Sequence, residues 1–229
     1  MEKCDDAKAK FEKLKEQYLH DINSNDAKKA LEYALEIRKF EISLYWKRAA
    51  YFWAFIAAIF AAYFALHDAD FADSKLILGI TLVGYIFTWC WYLVNRGSKF
   101  WQDNWEMHVD FLEDAVIGSL YKTVKNPQSY RFNKLLDGYP FSVTRINLVL
   151  NMTILIVWIV LFLANLTIVF NQYVPDLSIF LGIIFLLIIS TIIALLTRSK
   201  LPRNEESALY INRKSEIAKK YCEHDDMTE

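Results

Sequence analysis

Charge is missing from four long stretches of this sequence. Ala49 to Leu66, Leu76 to Val94, Ile146 to Phe170 and Leu177 to Thr197 contain no Asp, Glu, Lys or Arg. Helices of a soluble domain keep a polar face towards water, and four such runs in 229 residues leave too little amphipathic sequence to cover them. Each run has close to the roughly 20 residues that a helix needs to cross a hydrocarbon layer of about 30 Å. The absence of charge therefore predicts an all-α fold: a four-helix transmembrane bundle with amphipathic cytoplasmic helices.

Other absences narrow the chemistry. Without an ionisable residue in any run, proton relays, voltage sensors and charge-coupled transporters lose their usual machinery. The four prolines lie outside the runs, so no span is broken at its middle. Cysteine is scarce: Cys4, Cys90 and Cys222 have no zinc-ligand spacing, and neither a disulfide nor a metal is expected from them. There is no Gly-rich phosphate loop, nucleophile elbow or acidic metal cluster of known spacing. The reading is a non-enzymatic protein with no cofactor and no nucleic-acid partner.

Charge is plentiful between the runs, and its distribution orients the chain. Of 26 Lys and Arg residues, only Lys75 lies in the connections His67 to Lys75 and Asn171 to Asp176. Positive residues are retained in the cytoplasm during insertion, which places the other 25, and both termini, on that side. Five regions follow. Residues 1–48 are cytoplasmic N-terminal helices and 49–94 a transmembrane hairpin. Residues 95–145 are a cytoplasmic amphipathic helix and connector, 146–197 a second hairpin, and 198–229 a cytoplasmic C-terminal helix.

From Asp26 no Pro or Gly occurs before Gly79, so one helix is expected to run from the cytoplasm into the first span. Leu31, Leu35, Arg38, Ile42 and Tyr45 recur at alternating spacings of four and three. That row suits packing against the chain's own helices, or a seam between subunits. After the second span, Ser98 is a plausible cap for an amphipathic helix. Trp101, Trp105, His108 and Leu112 fall on one side, widened by Phe100, Met107 and Phe111. Asp103, Glu106, Asp110, Glu113 and Asp114 occupy the other. An acidic polar face repels anionic lipid, so docking on basic residues such as Arg38, Lys47 and Arg48 fits better than lying on the membrane. Trp101, Trp105, His108, Phe111 and Leu112 are thus the candidate cytoplasmic interface. His108 lies two residues from both Glu106 and Asp110, not the three that a di-metal helix uses, and is expected to be a buried, hydrogen-bonded histidine.

Within the runs, three patterns ask for a neighbour. Ala54, Ala58, Ala61 and Ala65 form a small-residue stripe that permits close helix approach. Tyr85, Trp89, Cys90, Trp91 and Tyr92 crowd the charged end of the second span, as an interfacial aromatic belt would. In the third span, Asn147 and Asn165 are separated by five helical turns, and Asn151 lies about 40° off the same line. Interhelical hydrogen bonding, a wetted pore and an accident of packing all remain open for this stripe.

Three motifs carry a resemblance. Ile37-Arg38-Lys39-Phe40-Glu41-Ile42 with Tyr45-Trp46-Lys47-Arg48 is one, and Asn95-Arg96-Gly97-Ser98-Lys99-Phe100-Trp101-Gln102-Asp103-Asn104-Trp105-Glu106 another. With Gly118-Ser119-Leu120-Tyr121-Lys122 they make the chain, over about residues 30 to 200, similar to the RipA-like bacterial inner-membrane proteins. The resemblance implies a bacterial cytoplasmic membrane and a homo-oligomer of eight subunits, with no catalytic residues to carry over. Two functional readings follow: an oligomeric scaffold or assembly platform, and alternatively an oligomeric pore or channel that alters permeability. The expected partners are the chain itself and membrane lipids.

Overall fold

A computed structural model describes residues 15–16, 18–20, 22, 26–69, 73–124, 139–170 and 175–198. The expected C-terminal helix, most of the N-terminal helix, the connector over 125–138, Cys4 and Cys222 lie outside the described residues. Among the described residues the fold is all-α and has no strand. Four long helices follow one another: α1 Ala27–His67, α2 Ser74–Val116, α3 Val143–Phe170 and α4 Pro175–Leu196. Each is long and apolar enough to cross a membrane, which makes this a multi-pass membrane protein.

At about 1.5 Å per residue, α1 and α2 are each some 60 Å long, twice the hydrocarbon thickness. Only half of each fits inside a bilayer; the other halves carry the charge. The two run antiparallel in one register, marked by Phe55 against Phe87, Trp53 against Trp91, Arg48 on Ser98 and Arg38 on Glu106. Leu31, Ala34 and Tyr45 are buried along this seam, with Leu35, Arg38 and Ile42 half-buried beside them. The row read from the sequence therefore packs within the chain.

The continuity of α2 corrects the expectation of a separate helix capped by Ser98. Gly97 and Ser98 lie inside one unbroken helix, and the Ser98 hydroxyl accepts a hydrogen bond from Arg48 at 3.0 Å instead of capping. A single interior glycine costs a helix only about 1 kcal/mol, less than packing against α1 returns. The division between residues 94 and 95 is one of composition, with no break in the backbone. What ends α2 is Gly118, whose φ of 73° is open to glycine but strained for other residues. At the other end Asp73 accepts from the Lys75 amide, and Ser142 opens α3 by accepting from the Arg145 amide.

Inside the apolar half, α3 sits in the groove between α1 and α2. Trp158 is fully buried, stacked on Phe60 with ring centroids 4.1 Å apart, and its indole lies where a Cβ on Gly84 would be. Glycine at that point of α2 is what lets the ring in. Helix α4 packs outside α2 and α3 through Leu186 and Ser190, and leaves Phe180, Leu187 and Ile188 outward.

Candidate functional site

The three asparagines of α3 all point into the chain's own bundle. Asn147, Asn151 and Asn165 are 5%, 0% and 7% exposed. The Asn147 amide donates to the Tyr45 hydroxyl of α1 at 2.6 Å and to Asn95 Oδ1 of α2 at 3.4 Å, so one side chain ties three helices. Asn151 reaches the Thr88 carbonyl at 3.4 Å, where the Thr88 hydroxyl is turned back onto Gly84. Asn165 donates to its own helix at Leu161 (2.8 Å) and to the Tyr63 hydroxyl at 3.4 Å. Tyr85 and Ser190 meet at 2.5 Å and join α2 to α4. A polar seam thus runs the length of an otherwise apolar bundle.

The seam is not saturated. Asn95 Nδ2, Asn151 Oδ1 and the indole nitrogens of Trp91 and Trp158 are buried without a partner among the described residues. In hydrocarbon, satisfying such groups inside the protein holds the register of the helices. The aromatic belt expected near Trp89 and Trp91 is in part this interior. Trp91 is fully buried, Tyr85 is buried, and the Trp89 indole donates to the Ser190 carbonyl.

Beyond the apolar half, the interface read on α2 is built as a contact with the chain's own N-terminal side. Phe111, Leu112 and Val109 are buried, and Leu112 and Val109 pack with Leu31 and Ala34 of α1 and with Tyr18, Leu19 and Ile22. His108 meets the Tyr18 hydroxyl through Nδ1 at 2.7 Å and lies 5.0 Å from the Trp105 ring. Burial pulls the His108 pKa below its ordinary value. Trp101 and Trp105 are half-buried beside Arg48 and Phe40 in an open cleft between α1 and α2.

On the acidic side of α2, one residue departs from the expectation. Glu113, read as part of the polar face, is fully buried: its Oε2 accepts from the Tyr121 amide at 2.8 Å, and Oε1 has no partner among the described residues. The turn after Gly118 folds back over it, and the sequence carries no periodic signal for that turn. The other acids stay outside. Arg38 approaches Glu106 at 3.6 Å, Lys122 bridges Asp110 and Asp114, and Lys15 also reaches Asp114. Hydrogen bonds from Lys122 and Lys15 hold the Asp114 carboxyl below its ordinary pKa. Among the described residues no three His, Cys, Asp or Glu side chains converge as metal ligands.

The alanine stripe is placed differently from the asparagines. Ala54, Ala58, Ala61 and Ala65 are all exposed on the outside of α1 and touch no other helix closely enough to be covered. Sequence reasoning missed Gly84, Asn95 and Thr88, which receive the side chains of α3. A signal did exist: Thr81, Gly84, Thr88, Trp91 and Asn95 recur at helical spacing in α2, and all are buried.

No curated protein and no solved structure matches the chain. A family model does: it covers residues 28–167, from the start of α1 nearly to the end of α3, and so includes the whole asparagine seam. That span is well over half of the sequence and overlaps most of the region of the resemblance; it supports an octameric membrane family and leaves the RipA-like name without support of its own. The chain belongs to the octameric membrane protein family (8xMP).

Proposed function

We propose that the protein is a non-enzymatic scaffold: a homo-oligomer, of eight subunits as its family name states, held in a bacterial cytoplasmic membrane. Both termini and the charged halves of α1 and α2 face the cytoplasm, where they form a platform for the oligomer itself or for partner proteins. The burial of Asn147, Asn151 and Asn165 inside a single chain carries this reading. Side chains used to tie α3 to α1 and α2 are not free to line a lumen between subunits. The cytoplasmic assignment rests on 25 of 26 Lys and Arg residues lying on one side. The exposed alanine stripe of α1 is the face on which one subunit meets the next.

The competing pore reading is tested on the same material. Purified oligomer is imaged and then reconstituted in planar bilayers for current recording. A scaffold gives an intact ring and no current above the lipid baseline. Current that changes with Asn151→Leu in an intact ring sinks the scaffold reading in favour of the pore.

A further inference from the structure

Four cations lie at one level of the bundle. The bonds joining Tyr45, Asn147 and Asn95 put those residues side by side on α1, α3 and α2. Lys47 and Arg48 follow Tyr45, Arg96 follows Asn95, and Arg145 precedes Asn147 by two residues. The charge-free runs begin or end at this level, at Ala49, Val94 and Ile146. It is therefore where the headgroups of a bilayer would lie.

Arg48 differs from the other three. Arg48 is half-buried and lines a cleft of about 710 Å³ between α1 and α2, walled at the membrane end by Val94, Gly97 and Ser98, with Trp101 one turn further out. One of its five N–H groups donates to the Ser98 hydroxyl, and no carboxylate pairs with it among the described residues. Glu41 lines the same cleft, but two helical turns away, about 10 Å further from the apolar half. Arg96 by contrast is exposed and folds back over the Tyr92 ring.

We propose that the membrane end of this cleft is a binding site for the phosphate of an anionic phospholipid. The unused N–H groups of Arg48 hold the phosphate oxygens in a fork, with the Ser98 hydroxyl as a further donor. Trp101, one turn beyond Ser98, flanks the headgroup side of the phosphate, and the glycerol and acyl chains leave past Gly97 and Val94 into the bilayer. Gly97 faces open space at the entrance, where a Cβ would meet nothing within 4 Å and only a larger side chain would fill it. Glu41 repels an anion from the far end of the cleft and fixes the direction of entry.

The test uses the full chain in nanodiscs of phosphatidylcholine with and without phosphatidylglycerol. Native mass spectrometry after a detergent wash counts retained lipid per subunit and reads the oligomer mass from the same spectrum, so that a failure of assembly is seen separately. The wild type retains phosphatidylglycerol in preference to phosphatidylcholine. Arg48→Gln weakens that retention roughly tenfold or more, the loss expected for a charged hydrogen-bonded pair. Gly97→Leu, which keeps the Arg48 to Ser98 bond and favours the helix, weakens it equally by filling the entrance; it decides the matter alone if Arg48→Gln fails to fold. Arg96→Gln leaves retention unchanged. Retention untouched by Gly97→Leu overturns the site, as does an equal loss with Arg96→Gln, which would mean diffuse attraction to the whole collar. Full displacement of the lipid by millimolar inorganic phosphate, or by glycerol phosphate, would make this a soluble-anion site and also overturns it. Dissociation of the oligomer by Gly97→Leu with lipid retention unchanged would assign the cleft to a second copy of the chain.

Discussion

Asparagine is the residue on which the bundle's register turns, and its three copies on α3 are not equivalent. Asn147 makes its shortest bond across helices, to Tyr45 at 2.6 Å, whereas Asn165 makes its shortest to its own helix. Replacing Asn147 by Leu leaves Tyr45 and Asn95 facing apolar atoms, a cost of about 1–2 kcal/mol. Asn165→Leu removes chiefly a local bond and costs about 0.5 kcal/mol. Reversible unfolding of the two variants in micelles or bicelles checks the order, and a larger loss for Asn165→Leu contradicts it. The sequence showed that these residues share a face; it could not show what they meet. Their partners Tyr45, Asn95 and Tyr63 come from other helices 52 to 102 positions away.

His108 carries the pH dependence at the same scale. Its pKa is lowered by burial, so the unfolded chain binds the proton more readily, and stability rises with pH through this group. The contribution is complete above the ordinary value of about 6.5 and is lost as pH falls towards the lowered value. Charging the ring also makes Nδ1 a donor, which obliges the Tyr18 hydroxyl to accept. The N-terminal segment should therefore become more open to protease on acidification from about pH 7 to pH 5 in the wild type. His108→Phe should lack the histidine part of that response. An identical pH profile in the two proteins would show that the contact between Tyr18 and His108 is not what titrates.

At the scale of elements, two glycines in helix interiors test how the bundle is packed. A Cβ on Gly84 would lie 2.5 Å from the Trp158 indole, a ring fixed by its stack on Phe60. A Cβ on Gly182 would lie 2.4 Å from the tip of Leu166, a flexible side chain that can change rotamer. Gly84→Ala should then destabilise by about 1–3 kcal/mol through overpacking of α2 on α3. Gly182→Ala should be close to neutral, because a rotamer change of about 1 kcal/mol is offset by a similar gain in helix propensity. Thermal unfolding in detergent separates them. The spans were legible because loss of charge is a local property of each run. The continuity of α2 through Gly97 and Ser98 was not, since glycine and serine read as punctuation until the packing of α1 over them is known. Glu113 was misplaced for the same kind of reason: a turn after Gly118, outside the helical period, covers it.

For the whole molecule the decisive contrast lies between two outer faces. Helix α4 presents bulky Phe180, Leu187 and Ile188 outward, side chains suited to acyl chains, while α1 presents Ala54, Ala58, Ala61 and Ala65 as a small-residue stripe flanked by exposed Tyr51, Phe55 and Phe64. Small residues on an uncovered face give lipid little to grip and let another helix approach closely. The stripe was legible at the sequence level; that no helix of its own chain covers it required the fold. In a ring every subunit interface is the same, so one substitution acts at all of them. Ala58→Leu combined with Ala61→Leu enlarges two positions that no other helix of the chain covers, and should leave the helical content and unfolding of the subunit near wild type while lowering the native mass of the complex. Ile188→Ala, on the outer face of α4, should leave that mass unchanged. A complex that keeps its full mass with both alanines enlarged would place the α1 stripe against lipid. The subunit contacts would then fall to the charged halves of α1 and α2, where salt, and not side-chain volume, should dissociate the ring.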